Sequence, residues 1–288
     1  MHQFLIILSR IKWIGLLGLL GTITGSKLLS LFWLFFLLGL IEIFRNLPVF
    51  FQSLQQVISL PLIYLNHRFH LPSQESSARQ TEHSLPFVGQ WFVVNGGIDK
   101  KNSHSWGILP QRYAYDFLIL DDKEKTCSGS NQQVENYYCY GKDILAPADG
   151  EVVCVKSRYP NSKVYGDGSA ECLATDIRGN FITIKHNPGE YSTLAHLMPG
   201  SITVKIGDKV SRGQVIARCG NSGNTSEPHL HFQLNDGPSF LASAGLPIRF
   251  QNAMITARGE NGHSAYIHRG QLVRNSQSIQ AFHPHQPD

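Results

Sequence analysis

The stretch "EPHLHFQL", residues 227–234, sets two histidines two positions apart inside an apolar run that reads as a β-strand. Side chains at i and i+2 of a strand leave the same face. His229 and His231 are therefore aimed side by side at one region of space. Either this is coincidence on a solvated strand face, or it is a metal site with a catalytic partner beside it.

The same texture extends on both sides. "WFVVNGG", "YAYDFLIL", "GEVVCV", "NFITIKH", "YSTLAHL" and "GQVIARCG" are short β-branched and aromatic runs separated by Gly, Pro, Asn and Asp, the pattern of strands joined by turns. No long 3.6-residue period lies between them. This predicts one all-β domain of packed antiparallel sheets over residues 85–255. Gly213, Gly220 and Gly223 fall where tight turns need positive φ. The segment 256–288 is polar, ends "HPHQPD", and reads as a flexible tail.

The chain before residue 85 has another character. "WIGLLGLLGTITGSKLLSLFWLFFLLGLIEIF" (13–44) is almost wholly apolar, interrupted by Lys27 and Glu42. A bilayer crossing takes about 20 apolar residues, so two transmembrane helices fit near 4–24 and 28–50, turning at "TGSK". Arg10 and Lys12 would snorkel or sit at the interface. A cleaved signal peptide accounts less well for a second hydrophobic run of this length. Residues 1–50 thus read as a membrane anchor of one or two spans, with membrane lipid as partner. The basic residues show no decisive asymmetry for orientation. Residues 46–70, broken by Pro48 and Pro61, suit an interfacial helix. The polar stretch "LPSQESSARQTEHS" (71–84) completes a juxtamembrane and linker segment, 51–84.

Composition narrows the partners. A formal charge of +4 over 288 residues suits an anionic polymer or lipid head groups as well as plain solubility. With no long basic run, nothing points to nucleic acid. The five cysteines form no CxxC pair and no zinc-ribbon spacing. Cys127 and Cys139 bracket a polar segment that a disulfide could close outside the cytoplasm.

Chemistry-bearing residues on neighbouring strands would suit hydrolytic zinc, which keeps three protein ligands and an open fourth position. The available parts are Asp116 in "RYAYDFLI", His196 in "STLAHL", and the pair His229 and His231. A lone strand aspartate is ordinarily a turn or surface residue, and a lone histidine such as His186 is ordinarily solvated. Tyr113 and Tyr191 could line a groove, although strand aromatics more often face a core. In order, however, "AYDF", "ILAPADGEVV", "GNFITIKH…YSTLAHL" and "VSRGQVIARCGNSGNTSEPHLHFQL" resemble the lysostaphin/LytM-type zinc metallopeptidases of family M23, over about residues 92–252. That resemblance implies an extracytoplasmic, LytM-like all-β peptidase domain acting on peptidoglycan peptide with a single Zn²⁺. It implies Asp116 and His231 as metal ligands and His196 and His229 as catalytic histidines.

One position departs from the family pattern. The usual first ligand, a histidine four residues before the aspartate, is here Arg112, which has no lone pair to offer a metal. His104, upstream on a Gly/Pro-containing loop, is the candidate replacement. A domain that had lost its ligand would instead serve as a regulator or binding module for other wall hydrolases. The retention of Asp116, His196, His229 and His231 argues against that. A biotin- or lipoyl-type carrier barrel shares the "ILAPADGEVVCV" texture but would leave the histidine pair without a role.

Overall fold

The computed structural model describes residues 2–76, 81–170, 174–251, 253–257, 260–276 and 282. The chain divides into two contact units, residues 1–51 and 52–288.

The first unit is helical. Helices α1 (His2–Ile11) and α2 (Leu17–Thr24) run on through a 3₁₀ turn. Gly25 then takes the left-handed conformation, φ 71°, that ends a helix without steric cost. The Ser26 hydroxyl accepts from Leu29 N–H and starts α3 (Lys27–Ser30), which leads through a second 3₁₀ stretch into α4 (Leu38–Arg45). The turn therefore falls at "TGSK", as the sequence predicts. Gly15, Gly18 and Gly21 line one face of the first arm. A Cβ on Gly18 would stand 2.7 Å from the Trp33 ring, and one on Gly21 only 2.3 Å from Ser30 N. Small residues that let two helices approach this closely are a device of membrane helix pairs. Leu19, Ile23, Leu28 and Leu34 face outward and are exposed.

The second arm is shorter than expected. At Asn46 the backbone leaves the helix (φ −143°, ψ 69°), and its side chain accepts from Val49 N–H to begin α5 (Leu47–Asn66). By length and composition the stretches suited to crossing a bilayer are Ile7–Thr24 and Leu47–Asn66, with Lys27–Ile41 shorter. The expected continuous span 28–50 is thus interrupted by a cap.

The second unit is built on antiparallel strands: β1 (Trp91–Asn95), β2 (Tyr115–Leu118), β3 (Asp143–Leu145), β4 (Gly150–Lys156), β5 (Phe181–Asn187), β6 (Glu190–Ala195), β7 (Lys209–Val210), β8 (Val215–Arg218), β9 (Leu230–Asn235), β10 (Ala253–Ala257), β11 (Glu260–Ser264) and β12 (Leu272–Asn275). Ten form one sheet in the order β11-β10-β12-β1-β2-β9-β6-β5-β4-β7, and β3 with β8 makes a second. Tyr115 and Phe117 of β2 point to the core, where Tyr115 meets Phe250 and Phe117 meets Phe87, itself stacked on Trp91. On β9, Leu230, Phe232 and Leu234 are buried in the same core. The opposite face of both strands is left for polar residues.

Two expectations need correction. The segment from 256 is not all flexible tail, because β12 pairs with β1 (Trp91↔Val273) and Val273 is fully buried. Two buried apolar residues, Ile267 and Val273, and the open edge of β1 draw that segment in. Asn275 then exchanges hydrogen bonds with the backbone of Leu85 and Phe87. Nor do Cys127 and Cys139 close a loop. Both are free thiols; the Cys127 backbone bridges Tyr137, while the Cys139 thiol donates to Pro228 O. Cys172 lies outside the described residues.

His186 is tied to Asp149 O and the Ser192 hydroxyl rather than solvated. Edge-on to it, 4.9 Å away between ring centres, lies His83. His83 is fully buried, and neither ring nitrogen meets a partner among the described residues. Burial, and then the neighbouring His186, hold its pKa well below the ordinary value, so His83 is neutral in the folded chain. Unfolded, it titrates near about 6.5. Below that pH the unfolded chain binds a proton the folded chain refuses, and stability falls as pH drops. His83→Leu should keep or raise stability at neutral pH, since it removes two unsatisfied buried atoms. It should also flatten the acid-side loss, leaving the contributions of His186 and His196, which carry the same sign. Urea titrations from about pH 5 to about pH 7 check this; equal slopes for both proteins would contradict it.

Candidate functional site

Sheet register brings the predicted residues to one level. Asp116 on β2 stands directly opposite His231 on β9, and Ala195, the last residue of β6, stands on the other side of His231. His196 follows immediately. The Asp116 Oδ1 atom lies 2.8 Å from His231 Nδ1 and 3.7 Å from His229 Nε2. The His196 ring centre is 4.7 Å from that of His229 and 5.9 Å from that of His231. All four side chains, together with His104, line one cavity of about 500 Å³.

The hydrogen bonds around the rings settle which nitrogens face the cavity. His196 Nδ1 donates to Ser222 O at 2.8 Å, and His229 Nδ1 donates to Glu227 O at 2.8 Å. A neutral imidazole that donates from Nδ1 carries its lone pair on Nε2, so each presents a bare Nε2. His231 is held the other way round. Its Nε2 lies 2.9 Å from Gln233 Oε1. The Gln233 amide is oriented by donating to Asn235 Oδ1, and Asn235 in turn donates to Pro110 O. Gln233 Oε1 must therefore accept from His231 Nε2–H, which leaves Nδ1 aimed at the Asp116 carboxylate.

Two electron-rich atoms 2.8 Å apart need a cation between them, either a proton or a metal ion. With a proton there, burial opposes both charges but is outweighed. The hydrogen bond and charge of His231, then the charges of His229 and His104, hold the Asp116 carboxyl well below the usual carboxylate range. Asp116 and Gln233 raise His231 in spite of burial. At His196, burial and then the charges of His229 and His231 push the pKa well below its usual value, so it is a neutral base at pH 7.

Among the described residues, no three His, Cys, Asp or Glu side chains already stand as a ligand sphere. The donor set nonetheless fits the zinc implied by the sequence: a carboxylate oxygen, an imidazole lone pair directed at it, and an outer carboxamide fixing that imidazole's tautomer. His104 is exposed on the wall of the same cavity. Arg112 is turned elsewhere: its Nε–H donates to Trp106 O at 3.1 Å and its guanidinium packs 4.9 Å from the Trp106 ring centre. Neither Tyr113, whose hydroxyl donates to Pro72 O, nor Tyr191 lines the cavity.

Sequence reasoning missed Gln233 and Asn95. Gln233 shares the strand face of His229 and His231, so its spacing could have revealed it. Asn95 opens the "NGG" turn and gives no such signal. Residues between 124 and 137, in the loop joining β2 to β3, help wall a second cavity, which shares Gly168, Ser226 and Glu227 with the first.

Backbone geometry completes the site. Gly223 has φ 90°, while Gly220 is required by proximity, since a Cβ there would lie 2.3 Å from Met198 N. His196 itself adopts φ 61°, held by its N–H donating to Arg178 O.

Residues 132–241 match the family model of Peptidase family M23. Over 74 residues the chain is 45% identical to the peptidoglycan DD-endopeptidase ShyA of Vibrio cholerae, covering 25% of this chain and 17% of that protein. Over 128 residues it is 30% identical to the glycyl-glycine endopeptidase ALE-1 of Staphylococcus capitis, covering 41% of this chain and 30% of that protein. The chain thus spans less than a third of the length of either relative. Among solved structures, a mutant of the catalytic domain of the prophage-encoded M23 protein EnpA from Enterococcus faecalis is 18% identical, with a TM-score of 0.36, covering 57% of this chain and 93% of that one.

The left-handed backbone at His196 gives a test of its own. A non-glycine residue held there costs on the order of 1 kcal/mol. His196→Gly and His196→Ala both lose the ring, yet His196→Gly should be the more stable of the two by about 1 kcal/mol. Chemical denaturation measures the difference, and a more stable alanine variant would contradict it.

Proposed function

We propose that this chain, which belongs over residues 132–241 to peptidase family M23, is a zinc endopeptidase that cleaves peptide cross-links of bacterial peptidoglycan. The observation that carries the reading is the convergence on Asp116 Oδ1 of His231 Nδ1 at 2.8 Å and His229 Nε2 at 3.7 Å, with His196 alongside. The named activities of its relatives support the substrate class.

Asp116, His231 and His104 would hold the zinc. When bound, zinc supplies a Lewis acid that polarises the scissile carbonyl and makes a water acidic. The remaining chemistry belongs to the chain. His229 and His196 each offer a bare Nε2, and either can take the proton that the attacking water gives up. Once protonated, that imidazole hands the proton to the leaving amine nitrogen as the C–N bond breaks. An Nε2–H of either ring can also donate to the carbonyl oxygen as negative charge builds on it. The carbonyls of Ser222 and Glu227 keep both rings in the required tautomer.

The apolar helical hairpin supports anchorage in the cell membrane, and the substrate class supports an extracytoplasmic peptidase domain. One observation favours a second reading, a catalytically inactive regulator of other wall hydrolases: the family ligand position holds Arg112, engaged with Trp106.

Purified peptidoglycan as substrate separates the two readings. His196→Ala and His229→Ala should each lower hydrolysis by about 10²-fold or more while leaving zinc content intact. His231→Ala should lose both zinc and activity. Full hydrolysis by either His196→Ala or His231→Ala would overturn the enzyme reading.

A further inference from the structure

The ligand position at 112 is filled by a side chain that cannot bind metal, and the replacement histidine sits on an exposed loop. Something must hold that loop in place. Asn95, the last residue of β1, is buried and lies opposite Asp116 at a point where the β1–β2 register shifts. Bulges of this kind re-aim side chains beside active sites. The Asn95 amide makes two contacts. Its Nδ2–H donates to Asp116 Oδ2 at 3.1 Å, which leaves Oδ1 to face His231. Its Oδ1 accepts the backbone N–H of His104 at 2.8 Å.

One carboxamide thus ties the aspartate to the backbone of the loop histidine. Gly96 next to it permits the turn: its φ is 128°, and a Cβ there would stand 2.3 Å from the Tyr115 ring. At the loop's far end, Arg112 grips Trp106, two residues beyond His104, by a hydrogen bond and by packing on its ring. The arginine that displaced the usual ligand therefore clamps the loop carrying its substitute.

We propose that Asn95 is a positioning residue, holding Asp116 and His104 in one register so that the loop histidine serves as the third metal ligand. This rests on the reading of Asp116, His231 and His104 as the zinc ligands. Outer residues that orient ligands typically contribute about 10- to 100-fold in metal affinity.

The test is carbethoxylation of histidines in the full chain, in detergent, with increasing zinc and read residue by residue by mass spectrometry. In the wild type, zinc should protect exposed His104 over the same concentration range in which equilibrium dialysis shows zinc binding. In Asn95→Ala the zinc needed to protect His104 should rise by about 10-fold or more, while buried His83 stays unreactive. Wild-type zinc binding with no protection of His104 would overturn the ligand reading and this proposal with it. Protection of His104 in the wild type at a zinc concentration unchanged in the variant would overturn the positioning role alone. If Asn95→Ala exposes His83, showing that it has unfolded, Asn95→Ser is read by the same protection.

Discussion

The hydrogen bond between Asp116 and His231 is the contact on which the rest of the molecule turns. It joins residues 115 positions apart, and it exists because β2 and β9 are neighbours in a register that sets those two residues opposite each other. A slip of one residue would send Asp116 into the aromatic core and bring Tyr115 or Phe117 to the polar face. The core thus enforces the site: stacking of Tyr115 and Phe117 against their neighbours leaves only one register in which both faces are satisfied.

That polar face is expensive to bury. His231, Gln233 and Asn235 are all nearly inaccessible, and unsatisfied groups there would each cost on the order of 1–3 kcal/mol. The cost is met by a continuous chain of partners running from Asp116 through His231, Gln233 and Asn235 to the carbonyl of Pro110. Such a network is directional. It fixes each amide and each tautomer in turn, and the result is a lone pair aimed at a carboxylate. Together with the left-handed backbone at His196, it marks the site as the place where the fold departs from what stability alone would choose.

Much of this was legible in the sequence, because strand alternation is a local signal. The two-residue spacing of His229 and His231 was enough to put them on one face, and apolar runs separated by turn residues were enough to indicate antiparallel sheets. The turn at "TGSK" was readable for the same reason, as a glycine followed by a capping serine. What could not be read depended on contacts between distant segments. Val273 belongs to the core only because β1 has an open edge, so the segment from 256 looked like tail. Asn46 ends a helix within a stretch that is apolar on both sides. Asn95 looked like half of a turn, and its function appears only when Asp116 and His104 lie on either side of it. Arg112 was recognised as unable to bind metal, but its grip on Trp106 needs the folded loop.

The central claim is that one carboxylate, one strand histidine and one loop histidine make a metal centre despite the arginine at 112. X-ray absorption at the zinc edge on the purified full chain, alongside elemental analysis, tests it most directly. The account predicts about one zinc per chain with nitrogen and oxygen neighbours at about 2.0–2.2 Å, and loss of one nitrogen neighbour in His104→Ala. A folded protein that takes up no zinc, or a His104→Ala spectrum identical to the wild type, would contradict it.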